Sequence, residues 1–220
     1  MSAPGPDYGV RVEATDESAT RAGYRRSAGS PRGQARREQL LDRVCDDLAA
    51  NGVVDFSLRR AARAAGTTHK VLLYYFDGAE DLLGQAIVRL RDRRIGNVLA
   101  AASQGPPGQS LADRMRAVWP VLMNDDLGLR VIDQAIGLVI YDPQRYASLG
   151  RQAVQQYLPA VYSLCPEDWS QQRKSEVANM IVAVFRGFLM DWRVTGDTTS
   201  IDTGMAALIR ALEREEAASE

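Results

Sequence analysis

The chain has 220 residues, of which 45% are hydrophobic and 25% charged, and its net charge is −1. This leaves room for one or two soluble domains with a sizeable core, and it excludes a polycation, a low-complexity chain and a disulfide scaffold. The charge is unevenly placed: residues 21–76 hold 11 Lys/Arg against 5 Asp/Glu, whereas residues 77–220 hold 15 against 19.

Residues 1–33 are rich in Gly, Pro, Ser and Ala without apolar periodicity, which predicts a disordered arm. Arg21, Arg25, Arg26 and Arg32 on it suit either a DNA-touching arm or a solvated tail. A helix is expected from about Gln34, where Leu40, Val44 and Leu48, and likewise Leu41, Cys45 and Ala49, recur every four residues. Asn51-Gly52 ends it.

Residues 57–76 then read as a helix-turn-helix. Ser57 is an N-cap, and Leu58, Ala61, Ala62 and Ala65 keep helical spacing. Gly66 supplies the sharp turn, and either Thr67 or Thr68 caps the second helix. Ala62 is small enough for the two helices to cross closely. In the second helix Leu72 and Phe76 face the core, while Lys70 and Tyr74 share another face and are free to meet DNA. The basic section of the chain coincides with this motif, as a phosphate-binding surface requires.

Glu80 opens a longer helix to about Ser103, with Arg89, Arg91, Arg93 and Arg94 as its solvated face. After the break at Gly105-Pro106-Pro107-Gly108, helices are expected at 110–123, 129–141, 143–164, 168–194 and 199–216, with Pro120 ending or kinking the first of these. No strand alternation appears, so the fold class is all-α: a helix-turn-helix domain at 34–79 and a larger helical domain at 80–220. Val177–Met190 is apolar on nearly every side, and the last helix carries a stripe of Ile201, Met205, Leu208 and Leu212. One side can face the core and the other a second copy of the chain, which places Ile181, Val184, Phe188, Met205, Leu208 and Leu212 at an expected two-fold homodimer interface.

Cys45 and Cys165 each fall in an apolar helical pattern and read as buried thiols in a reducing compartment. The N-terminus lacks a secretory pattern, and Asn179 and Arg186 interrupt the most apolar stretch, so a cytoplasmic protein with no membrane partner is expected. His69 is the only histidine, which argues against a multi-histidine metal site and against Ser-His-Asp chemistry. No Gly-rich phosphate loop or Cys-x-x-Cys is present, so neither a cofactor nor an enzymatic activity is expected.

These residues resemble the TetR family of transcriptional regulators. The match runs through Asn51-Gly52, Ser57, Arg59, Ala61-Ala62, Ala65-Gly66, Thr68, Leu72, Tyr74, Phe76 and Leu82, and loosely through Arg186-Gly187-Phe188-Leu189 and Thr195-Gly196-Asp197. It covers about residues 34–216. The resemblance implies an N-terminal three-helix DNA-binding domain and a helical domain for ligand binding and dimerisation. Two positions depart from it. Leu73 stands where the family often has a phosphate-contacting Tyr, a role open to Tyr74 or Tyr75, and Ala79 stands where it often has a basic residue.

Arg36, Arg37, Ser57 and Tyr74 are candidates for phosphates. Arg59, Thr68, His69 and Lys70 are candidates for base edges, with Thr67 and Tyr75 beside them. For Thr68 a pure N-cap role competes, and for Arg37 a solvated charge. Trp119, Met123, Ile136, Tyr141, Tyr157, Tyr162, Phe185 and Phe188 form the expected ligand pocket, although each taken alone also suits plain core. Buried Tyr hydroxyls and Trp N–H groups need partners, which a cavity holding water or a ligand supplies. The function expected is a repressor released from a palindromic double-stranded operator by a small apolar effector. The second reading, prompted by Leu73 and Ala79, is a protein-interaction module whose helix-turn-helix no longer reads DNA.

Overall fold

The structure, a computed structural model, describes residues 29–124, 126–144, 146 and 156–218. Among them are nine helices: α1 Pro31–Asn51, α2 Leu58–Ala64, α3 His69–Tyr75, α4 Ala79–Ala102, α5 Leu111–Asn124, α6 Asp126–Tyr141, α7 Leu158–Leu164, α8 Gln171–Thr195 and α9 Thr199–Ala217. The expected arm arginines Arg21, Arg25 and Arg26 lie outside the described residues. No helix among the described residues is long and apolar enough to cross a membrane.

Helix α1 starts three residues before the expected Gln34. The Ser30 hydroxyl accepts from Gly33 N–H at 3.1 Å, and Pro31 occupies the first turn, where its missing N–H costs nothing. Pro31–Gly33, and Arg32 with them, are therefore helical rather than part of a disordered arm.

Two apolar cores organise the chain. The first joins Leu40, Val44 and Leu48 of α1, Ala61 and Ala62 of α2, and Leu72 of α3 with Leu82, Ile87 and Leu90 of α4. The second joins α5, α8 and α9 through Met115, Val118, Ile181, Phe185, Met205 and Leu212. Helix α4 runs between them, so that Leu82–Leu90 pack with the helix-turn-helix while Ala102 packs with the second core. Helix α6 also belongs to both: Val131 and Ala135 enter the first core, and Leu129 the second.

Pro120, expected to end or kink its helix, does not end it, and α5 continues to Asn124. An interior Pro costs about 3 kcal/mol, but Met115, Val118 and Leu122 are buried on both sides of it, each worth about 1.5–3 kcal/mol. The helix expected over 143–164 forms among the described residues only at Leu158–Leu164. Pro159 in its first turn cannot donate backwards, so a helix starts there and does not run through it. Finally, Arg91 and Arg94 are not solvated: they are 1% and 3% exposed. Only Arg89 and Arg93 behave as surface cations, pairing with Glu38, Asp42 and Asp46 of α1.

Both cysteines are buried. Burial, first of all, pushes the Cys45 thiol up to about 12, and it raises Cys165 as well.

Candidate DNA-binding surface and ligand cavity

The geometry of the helix-turn-helix follows from its small and capping residues. Ser57 is extended, and its hydroxyl accepts from Arg60 N–H at 3.3 Å. Ala61 and Ala62 are buried at the crossing with α3, and a larger side chain at either position would push the helices apart. Gly66 adopts φ 62°, a left-handed conformation that favours glycine, and Thr67 N–H bonds back to Ala62 C=O at 2.9 Å. Between the two candidate caps the structure selects Thr68, whose hydroxyl faces Val71 N–H at 3.4 Å. Leu72 and Phe76 point into the core.

This leaves His69, Lys70 and Leu73 exposed on α3, and Arg59 and Ser57 exposed at the start of α2. Arg59, His69 and Lys70 make no side-chain hydrogen bond or ion pair with any described residue. Arg60, next to Arg59, is spent inside the domain. Its guanidinium pairs with Asp47 at 2.8 Å and donates to Val54 C=O at 2.8 Å and Gly52 C=O at 2.7 Å. Arg37 is spent in the same way: it lies 5.0 Å over the Phe76 ring, bonds Gln85 of α4 and pairs with Glu38. Arg36 is half-buried and reaches only Gln39, at 3.4 Å. Tyr74 and Tyr75 meet edge to face at 4.7 Å, and Tyr75 packs against the first core. Leu73, where the family often has a Tyr, is 50% exposed.

In the second core a cavity of about 90 Å³ lies between α4, α5, α6, α7 and α8. Of the expected pocket residues, Ile136, Tyr157 and Phe185 line it. Trp119 and Phe188 do not. They stack behind Phe185, with Trp119 5.5 Å from Phe185 and 6.1 Å from Phe188. Met123 packs against the second core, and Tyr162 is half-buried away from the cavity. Tyr141 is 88% exposed and is no part of the pocket, because the last turn of α6 projects past the core.

The sequence reading missed Leu129, Ile132 and Asp133 of α6, Arg94 of α4 and Arg186 of α8, all of which line the cavity. The spacing of Leu129, Ile132, Asp133 and Ile136 is the signal that could have found the α6 wall. Asp133 pairs with Arg193 at 3.0 Å. Burial raises its pKa, opposed by Arg193 and Arg94.

The opposite face of α6 meets the helix-turn-helix region. Arg130 donates to the last carbonyls of α1, Ala49 at 3.3 Å and Ala50 at 2.6 Å. The Gln134 side-chain oxygen accepts from Val53 N–H at 2.8 Å. Gly52 makes this approach possible, since a Cβ there would stand 2.5 Å from the Gln134 amide.

Of the residues expected at a dimer interface, Ile181, Met205, Leu208 and Leu212 face the protomer's own core, while Val184 and Phe188 are half-buried. The outward face of α8 carries Met180, Ala183, Gly187, Met190 and Val194, alternately three and four residues apart, and α9 exposes Ala206 and Ala207. On a helix that spacing is a single stripe.

Among the described residues, a tight helix-turn-helix sits on a larger helical body with a cavity between its helices. No family model and no curated protein sequence matches the chain. Its fold is that of the TetR family. A TetR-family transcriptional regulator from Cytophaga hutchinsonii superposes with a TM-score of 0.63 at 12% identity, over 80% of this chain and 92% of that one. A TetR-family transcriptional regulator from Streptomyces coelicolor gives 0.58 at 15% identity, over 81% and 98%. The fatty acid degradation regulator FadR from Bacillus halodurans gives 0.55 at 15% identity, over 81% and 92%.

Proposed function

We propose that this chain is a homodimeric, sequence-specific DNA-binding regulator, a repressor released from a two-fold operator by a small effector held in the cavity of its C-terminal domain. The observation that carries this reading is the trio Arg59, His69 and Lys70, without a side-chain partner among the described residues, on the outer face of a capped helix-turn-helix. Long side chains without a protein partner at the start of a recognition helix are placed to read base edges. Thr67 and Thr68 lie beside them, and Arg36, Ser57, Tyr74 and Tyr75 flank the helix for phosphates. Arg37 has less to offer DNA, since it already ties α1 to Phe76 and Gln85.

The dimer forms through the Met180–Val194 stripe of α8 and the alanines of α9. Small residues at the centre of the stripe let two helices approach closely, and a two-fold pairing presents two recognition helices to successive major grooves. Helix α6 couples effector to DNA. One face lines the cavity, the other holds the end of α1, and the helix between them is stiff. Filling the cavity displaces α6 and with it the helix-turn-helix, so that the two recognition helices no longer match their groove spacing.

The test is a gel shift at low salt with fragments of the source genome, followed by selection of the tightest fragment. A retained fragment with an inverted repeat, whose binding falls steeply with salt, is expected. Failure to retain any fragment at 50 mM salt, with the protein shown folded, would refute the reading.

A further inference from the structure

The cavity wall is mostly apolar, and its charged residues are Arg94, Arg186 and Asp133, the last paired with Arg193. Arg91 lies one helical turn before Arg94 on the same face of α4. It is 1% exposed, and its Nε and Nη1 atoms have no hydrogen-bond partner. Its electrostatic neighbours are Tyr157 and Arg186, both of which line the cavity. Burial lowers the Arg91 pKa, Arg186 adds to that effect and Tyr157 opposes it. A guanidinium nonetheless keeps its proton in a protein, so this is a buried positive charge with two unanswered donors.

Such a group is strongly destabilising unless something answers it. Water can accept from Nε and Nη1, but it leaves the charge uncompensated. A carboxylate does both, and the guanidinium fork matches its two oxygens. The remaining walls, Leu129, Ile132, Ile136, Phe185 and Leu189, suit an alkyl or aryl body. We infer that the effector is an organic carboxylate, its apolar body in the cavity and its anionic head drawn to the Arg91–Arg94–Arg186 end. This rests on the reading of the cavity as an effector site, and it adds an anionic head to the small apolar effector expected from the sequence. The cavity's 90 Å³ is the space of about three waters, so the shortest chains are the appropriate probes.

The test uses the full chain and the straight-chain acids acetate, propanoate and butanoate, each beside the alcohol of equal length, followed by tryptophan fluorescence and calorimetry. The acid is expected to bind at least about tenfold tighter than its alcohol. Arg91→Met is expected to abolish this preference while leaving the alcohol's affinity nearly unchanged, and Arg91→Lys is expected to keep part of it. Equal affinity of acid and alcohol for the unmodified protein, or a preference that survives Arg91→Met, would overturn the inference. If Arg91→Met does not fold, the unmodified protein and Arg91→Lys decide the matter: a preference unchanged in Arg91→Lys counts against the fork. Binding of neither series also overturns the inference, whereas binding of the alcohols alone leaves the effector cavity standing, and the gel shift tests DNA binding independently.

Discussion

Arg59 and Arg60 are adjacent in sequence and opposite in role, and exchanging each for Ala separates reading DNA from building the domain. Arg60 is 14% exposed at its side chain and Asp47 15%, so their 2.8 Å pair is largely removed from solvent. Breaking a fully buried pair costs about 3–5 kcal/mol and an exposed one about 0–1 kcal/mol. Arg60→Ala also frees the carbonyls of Gly52 and Val54, which sit at the rim where water can reach them in part. Residual exposure and the remaining Asn51–Asp47 bond at 2.9 Å temper the loss. About 2–3 kcal/mol follows, a large share of the ~5–15 kcal/mol typical of a whole protein. With a urea slope of about 2 kcal/mol/M, the unfolding midpoint should fall by about 1 M or more. Arg59→Ala should shift it by no more than about 0.5 kcal/mol in stability, yet weaken operator binding by about 1–3 kcal/mol. Urea melts followed by far-ultraviolet circular dichroism and fluorescence anisotropy on the selected fragment measure both variants. Equal stability loss in the two, or full operator affinity in Arg59→Ala, would refute the division of labour and with it the orientation of α2 on DNA.

On the recognition helix, His69→Ala and Lys70→Ala should each weaken specific binding by about 1–3 kcal/mol without changing the melting curve, and unchanged affinity in both would remove α3 from the groove. Val194→Arg together with Gly187→Arg, on the outward stripe of α8, should convert the dimer into a folded monomer in analytical ultracentrifugation, whereas Leu212→Arg should unfold the chain, because Leu212 is fully buried in the protomer. Because Cys45 titrates only near pH 12 in the folded chain, a thiol reagent at pH 8 should modify it far more slowly than in urea. The sign follows from the raised pKa: the unfolded thiol ionises first, so the native state loses stability as pH rises from the thiol's unfolded value towards about 12. Rapid modification of the native protein would show that the α1–α4 contact opens readily. Gln134→Leu should cost about 1–3 kcal/mol by stranding Val53 N–H and should reduce the effector's ability to release DNA without reducing its binding to the cavity.

The elements whose packing is decided by their own neighbours were legible in the sequence. Ser57, Ala62, Gly66 and the Thr67-Thr68 pair specify a helix-turn-helix because each requirement is local: a cap, a close crossing, a left-handed turn, a second cap that the structure places at Thr68. What escaped depends on which of two cores an element serves. Arg91 and Arg94 look like a solvated face because most arginines on a long helix are solvated, and nothing in their spacing announces that α6, α7 and α8 close over that side of α4. Leu208 and Leu212 look available to a partner because a stripe of apolar residues does not say what covers it, and α5 and α8 cover it first. Helix α6 is the sharpest case. Leu129, Val131, Ile132, Ala135 and Ile136 are apolar around much of the helix, which from sequence alone means burial and no more. In the fold that all-round character has a reason, because one face lines the cavity of the second core and the other closes the core of the helix-turn-helix. Arg130 and Gln134 between the apolar positions then cease to be incidental surface residues. They bond Ala49, Ala50 and Val53 at the edge of the helix-turn-helix domain, and under the proposed function they are the contacts through which a filled cavity would act on it.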